Sequence, residues 1–268
     1  MNWSKTKSIF IVCFLLLDAF LVFELYVRQQ DQGVEKLDES PGTHNTFRIS
    51  TTIPPTPQNV TFLRGSRVDF SKEKNTIAGM IASGNGSPGQ KISIDDQGMQ
   101  LHGTLASPIA GDMNNADLQK AILSLVYKGQ SYTYWKNDPK ARTVNFVQLY
   151  NDRPVFISKR SNIQMLSFTI SQKRAVGYQQ SYFQFKRSNY VDIISADKAI
   201  SNLGENTDLL DSERPIIKTV ELGYVNLVSD AGADPLIFIP AWHIVVQTGK
   251  GSQEYFVNAM SGNVQTLN

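Results

Sequence analysis

The sequence predicts an α+β fold: one N-terminal transmembrane helix, then an extracytoplasmic domain of two units, each a short helix followed by antiparallel sheet. Three observations carry this. An apolar run of nineteen residues lies near the N-terminus, two short helical stripes recur 78 residues apart, and seven segments of high β propensity follow those stripes.

The apolar run is Ile9–Val27, IFIVCFLLLDAFLVFELYV, interrupted by Asp18 and Glu24. At about 1.5 Å per residue it extends about 28 Å, close to the hydrocarbon thickness of a bilayer. Trp3 and Tyr26 flank it as interfacial aromatics do, and Lys5 and Lys7 precede it, which favours a cytoplasmic N-terminus. No small-x-small cleavage site follows in LYVRQQDQG, so the run reads as an uncleaved anchor. Asp18 sits at its middle. An acidic side chain at that depth costs about 2.5–3.5 kcal/mol on insertion scales, so Asp18 is either protonated and tolerated by a strongly apolar helix or faces a partner helix that offsets its cost. Ile11, Phe14, Leu21 and Leu25 share its face and would line that contact. Glu24 lies near the outer end and can snorkel.

Residues 28–59 are polar and contain TTIPPTPQ, whose prolines favour extended chain, so they read as a stalk with the folded part starting near Val60. Residues 60–110 read as an irregular β region around the glycine-rich loop GNGSPG at Gly84–Gly89. This loop lacks the lysine of a phosphate-binding GxxxxGK[ST]. The first helix-plus-sheet unit spans residues 111–190. Its helix carries Leu118, Ala121, Ile122 and Leu125 at i, i+3, i+4 and i+7, with Asn114 or Asn115 as cap and Gly129 as stop. The second spans 191–268, with Ala196, Ala199, Ile200 and Leu203 repeating that spacing between Ser195 and Gly204. An internal duplication is consistent with this. The expected strands are Ser131–Trp135, Thr143–Tyr150, Ile163–Ile170, Ala175–Phe185, Ile216–Val228, Trp242–Thr248 and Glu254–Ala259. Even positions of the fifth, from Ile216 to Val228, are expected to face a core. Turn signals stand at Asn151-Asp152, Gly249-Lys250-Gly251 and Ser261-Gly262-Asn263.

The inventory narrows the chemistry. The chain carries 26 Lys+Arg against 24 Asp+Glu, a net charge of +2, which gives no electrostatic reason to expect nucleic acid. Residues 1–27 hold two lysines and two acids, so the remainder keeps the same balance and has no bulk field for anionic polymers. The single cysteine, Cys13, rules out an intramolecular disulfide and a cysteine-rich zinc site. The histidines are His44, His102 and His243. No HExxH, GxSxG or CxxC occurs, so no catalytic, cofactor-binding or metal residues are assigned. His243 beside Trp242 reads as a hydrogen-bonded structural histidine, His102 as a solvated loop residue, and Asp95-Asp96 as a turn rather than a glycosidase pair. Tyr132, Tyr134 and Trp135 read as core, with stacking on sugars as the alternative.

The opening MNWSKTKSIFIVCFLLLDAFLVFELY resembles the N-terminus of the YycI (WalI) family. The resemblance continues at RGSRVDFS (Arg64–Ser71), YKGQSY (Tyr127–Tyr132), QLYNDRPVF (Gln148–Phe156), PAWHIVV (Pro240–Val246) and EYFVNAMSGNV (Glu254–Val264). It covers nearly the whole chain, and one departure is Asp18, where the family tends to a neutral polar residue. The helix-plus-sheet units also look PepSY-like. The resemblance implies a single-pass Gram-positive membrane protein, not an enzyme, that needs no cofactor. It would act with a YycH-like protein on the sensor histidine kinase YycG (WalK) of the YycG/YycF (WalK/WalR) two-component system, which governs cell-wall metabolism. Two other classes are carried beside it: a PepSY-like inhibitor or binder of a secreted hydrolase, and a wall enzyme.

Overall fold

The computed structural model describes residues 7, 11, 14–23, 47–82, 89–161, 163–205, 215–227, 234–249 and 251–267. The chain divides into two units, Met1–Thr43 and His44–Asn268. In the first, residues 14–23 are helical (α1) and their side chains are exposed. Among the described residues, no helix is long and apolar enough to cross a membrane.

The second unit is sheet-dominated, with three further helices among its described residues, so the α+β class holds in that coarse form. In chain order its elements are β1 (Arg48–Ile49), β2 (Val60–Arg67), α2 (Lys74–Ala82), β3 (Gln90–Ile94), β4 (Leu101–Ala110), α3 (Ala116–Leu123), β5 (Tyr132–Asp138), β6 (Thr143–Tyr150) and β7 (Arg153–Ile157). They continue with β8 (Leu166–Ser171), β9 (Arg174–Gln180), β10 (Phe183–Val191), α4 (Ala196–Glu205), β11 (Ile216–Asn226), β12 (Leu236–Thr248), β13 (Gly251–Asn258) and β14 (Val264–Gln265). The strands form one hydrogen-bonded sheet with the path β10-β2-β12-β11-β7-β6-β8-β9-β4-β3. β5 pairs with β6, β13 with β12, β14 with β13, and β1 with β11. The two helix-led halves therefore share a sheet. Their seam is the parallel pairing of β7 with β11, Val155↔Tyr224 through Ile157↔Asn226.

Hairpin chemistry sets much of the local register. Asn151 and Asp152 both take positive φ (48° and 61°), as a two-residue I′ turn requires, and join β6 to β7. Gln172 and Lys173 do the same between β8 and β9 (φ 48° and 61°).

Each helix buries one face. Asn115 caps α3, its side chain accepting from the N–H groups of Asp117 (2.8 Å) and Leu118 (3.4 Å). Ile122 and Leu125 then enter the larger core with Phe146, Phe156, Phe168 and Phe183. Ala121, expected on that stripe, is exposed, and Leu118 is half-buried: α3 ends at Leu123, and the chain turns into the core through Leu125 and Val126 instead. Gly129 is needed for packing rather than to stop the helix, because a Cβ there would overlap the Leu123 carbonyl oxygen. In α4, the expected Ala196, Ala199, Ile200 and Leu203 are all buried, against Leu222, Trp242, Ile244 and Val257. Ser195 Oγ accepts from Lys198 N–H (3.2 Å). Gly204 lies inside the helix, not at its stop.

Several other expectations change. The ordered domain begins by Phe47, not near Val60: Phe47 is buried, Ile49 and Ile53 pack on the α4 core, and β1 runs parallel to β11. Ala175–Phe185 is two strands, because Ser181 N–H leaves the ladder for the carbonyls of Met165 (2.9 Å) and Gln164 (3.1 Å). The buried phase of β11 starts at Ile217 rather than Ile216, since a bulge between Ile217 and Thr219 shifts the register. β12 begins six residues before Trp242 and carries Pro240 inside it, whose carbonyl accepts from Ala259 N–H (3.0 Å). Residues 60–110 are regular where described and include α2, whose Ile77 and Met80 pack with Phe70 and Tyr127. Residues 83–88, with most of the glycine-rich loop, lie outside the described residues.

Candidate functional site

Of the residues expected at a membrane partner contact, Ile11, Phe14, Asp18 and Leu21 are helical and exposed. On an ideal helix at 100° per residue they fall within an arc of about 80°. Lys7 is helical and exposed as well. Leu25, Trp3, Lys5 and Tyr26 lie outside the described residues, as do Cys13, Glu24, His44 and the stalk up to residue 46.

In the second unit, chemistry concentrates in a groove of about 790 Å³ between β5 and the face of β11, β12 and β13 turned away from α4. Strand alternation explains its contents. Trp242, Leu222 and Val257 point to the α4 core, so their neighbours Glu221, His243 and Phe256, aligned across the three strands, point the other way. His243 is 4% exposed. Its Nδ1 lies 2.9 Å from Glu221 Oε1, and its ring stacks on Phe256 (4.8 Å between centres, 16°) and tilts against Phe156 (4.7 Å). A carboxylate only accepts, so Nδ1 is the donor of this pair. The buried Nε2 has no hydrogen-bond partner among the described residues.

Across the groove, Glu254 Oε2 accepts from Trp135 Nε1 (3.1 Å) and Lys136 Nζ (3.1 Å). Lys136 Nζ also lies 3.8 Å from the centre of the Trp135 ring, whose neighbour Phe156 meets it edge-on at 5.5 Å. The indole is thus committed to its own domain, which leaves no open platform for a sugar. Two further cavities, of about 350 and 340 Å³, meet at Lys136.

The remaining candidates are structural. Tyr132 is buried, donating to the Ser181 carbonyl (3.0 Å) and accepting from Gln180 Nε2 (3.1 Å). Tyr134 donates to Asn114 Oδ1 (3.2 Å). His102 is half-buried in β4, opposite Ser93 and Gln179, not in a loop. Asp95 Oδ1 accepts from Met99 and Gln100 N–H (2.7 and 2.9 Å), closing the turn between β3 and β4. Among the described residues, no three His, Cys, Asp or Glu side chains cluster as metal ligands. Sequence reasoning missed Glu221, Glu254 and Lys136 as a set. The available signal was the odd-even alternation that opposes Glu221 to Leu222 and His243 to Trp242.

No curated protein matches the chain. Among solved structures, an uncharacterized protein from Eubacterium rectale ATCC 33656 aligns with a TM-score of 0.50 at 9% identity, covering 83% of this chain and 90% of that one. The Bacillus megaterium YpeB C-terminal domain aligns with a TM-score of 0.41 at 12% identity, covering 76% and 100%. YycH from Bacillus subtilis aligns with a TM-score of 0.40 at 9% identity, covering 75% and 56%. The first likeness concerns the fold alone. The family model described as YycI protein matches residues 43–260, most of the chain, and with it the chain belongs to the YycI family, regulators of the YycG (WalK) system rather than enzymes.

Proposed function

We propose that this chain is a single-pass membrane protein, anchored through residues 9–27 with its N-terminus in the cytoplasm and its C-terminal domain outside. There it modulates a YycG/WalK-like sensor histidine kinase through protein contacts, together with a YycH-like partner. The observation that carries the reading is the family match over residues 43–260. The apolar run Ile9–Val27 supports the anchor, and the shared face of Ile11, Phe14, Asp18 and Leu21 supports a helix contact within the membrane. The order α3 then β5 to β9, and α4 then β11 to β13, supports two PepSY-like units.

The deciding experiment is affinity purification of the tagged intact chain from membranes of its own cells. Recovery of a histidine kinase and a YycH-like protein is the expected result. Their absence, with the tagged chain recovered in good yield, overturns the reading.

A further inference from the structure

The groove beside His243 is built for a ligand that brings positive charge and hydrogen-bond donors. Its lining includes Asp152, Glu221 and Glu254 against the one ammonium of Lys136. That ammonium is already spent on Glu254 and on the Trp135 ring. Glu221 uses Oε1 for His243 and Glu254 uses Oε2 for Trp135 and Lys136, so each carboxylate keeps one oxygen outside these bonds. Independently of this charge, His243 lines the same groove, and its buried Nε2 has no hydrogen-bond partner among the described residues. Buried polar atoms are nearly always paired, so a site that retains an unpaired one is short of a partner.

The spacing describes the ligand further. Glu221 and Glu254 stand on β11 and β13, the two strands flanking β12, and are offset by two residues: Glu221 is level with His243, Glu254 with Val245. At about 4.8 Å between strands and 3.3 Å per residue, their Cα atoms are roughly 12 Å apart. Residues four apart in an extended chain are separated by about 13 Å. The groove walls are themselves strands, which suits an extended occupant. A saccharide is disfavoured by the covered Trp135 ring, and an acidic or phosphate ligand by the carboxylates.

We propose that this groove binds an extended peptide segment of a protein partner carrying two basic side chains four residues apart, which meet the carboxylates of Glu221 and Glu254 beside the buried ring of His243. This goes beyond the regulatory reading and does not depend on the kinase being the partner.

The chain has three histidines, so its ring nitrogens give a simple spectrum. The test is titration of the intact, detergent-solubilised chain with ¹⁵N-labelled histidine, the signals assigned with His44→Gln and His102→Gln. The probe is a pentapeptide blocked at both ends, with lysine first and fifth and threonine between. The control is the same peptide with both lysine side chains acetylated. The lysine peptide should shift the His243 nitrogens saturably, leave His102 unmoved, and bind at least tenfold more tightly than the control. Glu221→Gln and Glu254→Gln should each weaken binding about tenfold; glutamine at 221 keeps an acceptor for Nδ1, so that variant retains the local fold. No saturable shift at millimolar peptide, equal binding of the acetylated control, or undiminished binding in both variants overturns the proposal.

Discussion

Gly223 faces Pro154 across the parallel seam of β7 and β11 so closely that a Cβ at 223 would lie 2.6 Å from the Pro154 carbonyl oxygen and 3.1 Å from the Phe156 ring. The neighbouring atom is backbone and cannot swing aside. Gly223→Ala should therefore force the seam apart and cost about 1–3 kcal/mol. Urea unfolding of the intact chain in detergent measures this, and stability equal to wild type would mean that the two halves of the sheet are not held so tightly.

The buried helix faces give a graded expectation. Ile122→Ala and Leu203→Ala each remove a fully buried aliphatic side chain and should cost about 2–5 kcal/mol. Leu118→Ala, at a half-buried position, should cost about 1 kcal/mol. Ala121→Ser, on the exposed side, should leave the melting temperature within error. A larger effect at Leu118 than at Ile122 would contradict the observed face of α3.

Two buried glutamines stand in for strand neighbours. Gln180 accepts from Tyr127 N–H (3.0 Å) and donates to the Tyr127 carbonyl (2.7 Å), and Gln148 does the same for Phe183 (2.9 and 2.7 Å). Gln180→Leu keeps much of the volume but leaves both Tyr127 groups unpaired, an expected loss of about 2–4 kcal/mol. Hydrogen exchange at the Tyr127 amide should speed up in this variant, and unchanged exchange would exclude the clamp.

Burial pushes the phenols of Tyr132 and Tyr178 well above the ordinary tyrosine value near 10. The folded state then holds protons that the unfolded state releases. Their contribution to stability is whole below about pH 10 and declines as pH rises above it. Ultraviolet titration should show two tyrosines that ionise only on alkaline unfolding. Full ionisation of all ten tyrosines in the folded chain by pH 11 would refute this.

Asp18→Leu tests the proposed membrane contact. The variant should insert at least as well, since an acidic group at mid-membrane is costly, yet recover less kinase or YycH-like partner on affinity purification. The expected loss is modest, about threefold, because intramembrane hydrogen bonds average about 0.6 kcal/mol. Equal recovery at equal expression would remove Asp18 from the interface.

By itself the sequence determined the features whose cause is local. Asn115 and Ser195 start their helices because a short polar side chain can take the first free amides. Thr143–Tyr150 has the same bounds in sequence and structure because its strand propensity ends at Asn151-Asp152, two residues that tolerate positive φ. The stripe of α4 was legible because all four of its apolar residues serve one core. Tertiary structure decided the rest, through partners distant in the chain. Gln172-Lys173 carries no turn signature, yet it turns because β8 and β9 each have a remote neighbour, β6 and β4, that holds them in register. Phe47 joins the core only because β11 offers its edge to β1 some 170 residues later. The groove follows the same rule: Glu221, His243 and Glu254 are unremarkable in sequence, and strand pairing alone, by turning alternate residues of three strands to one face, brings them together beneath Trp135.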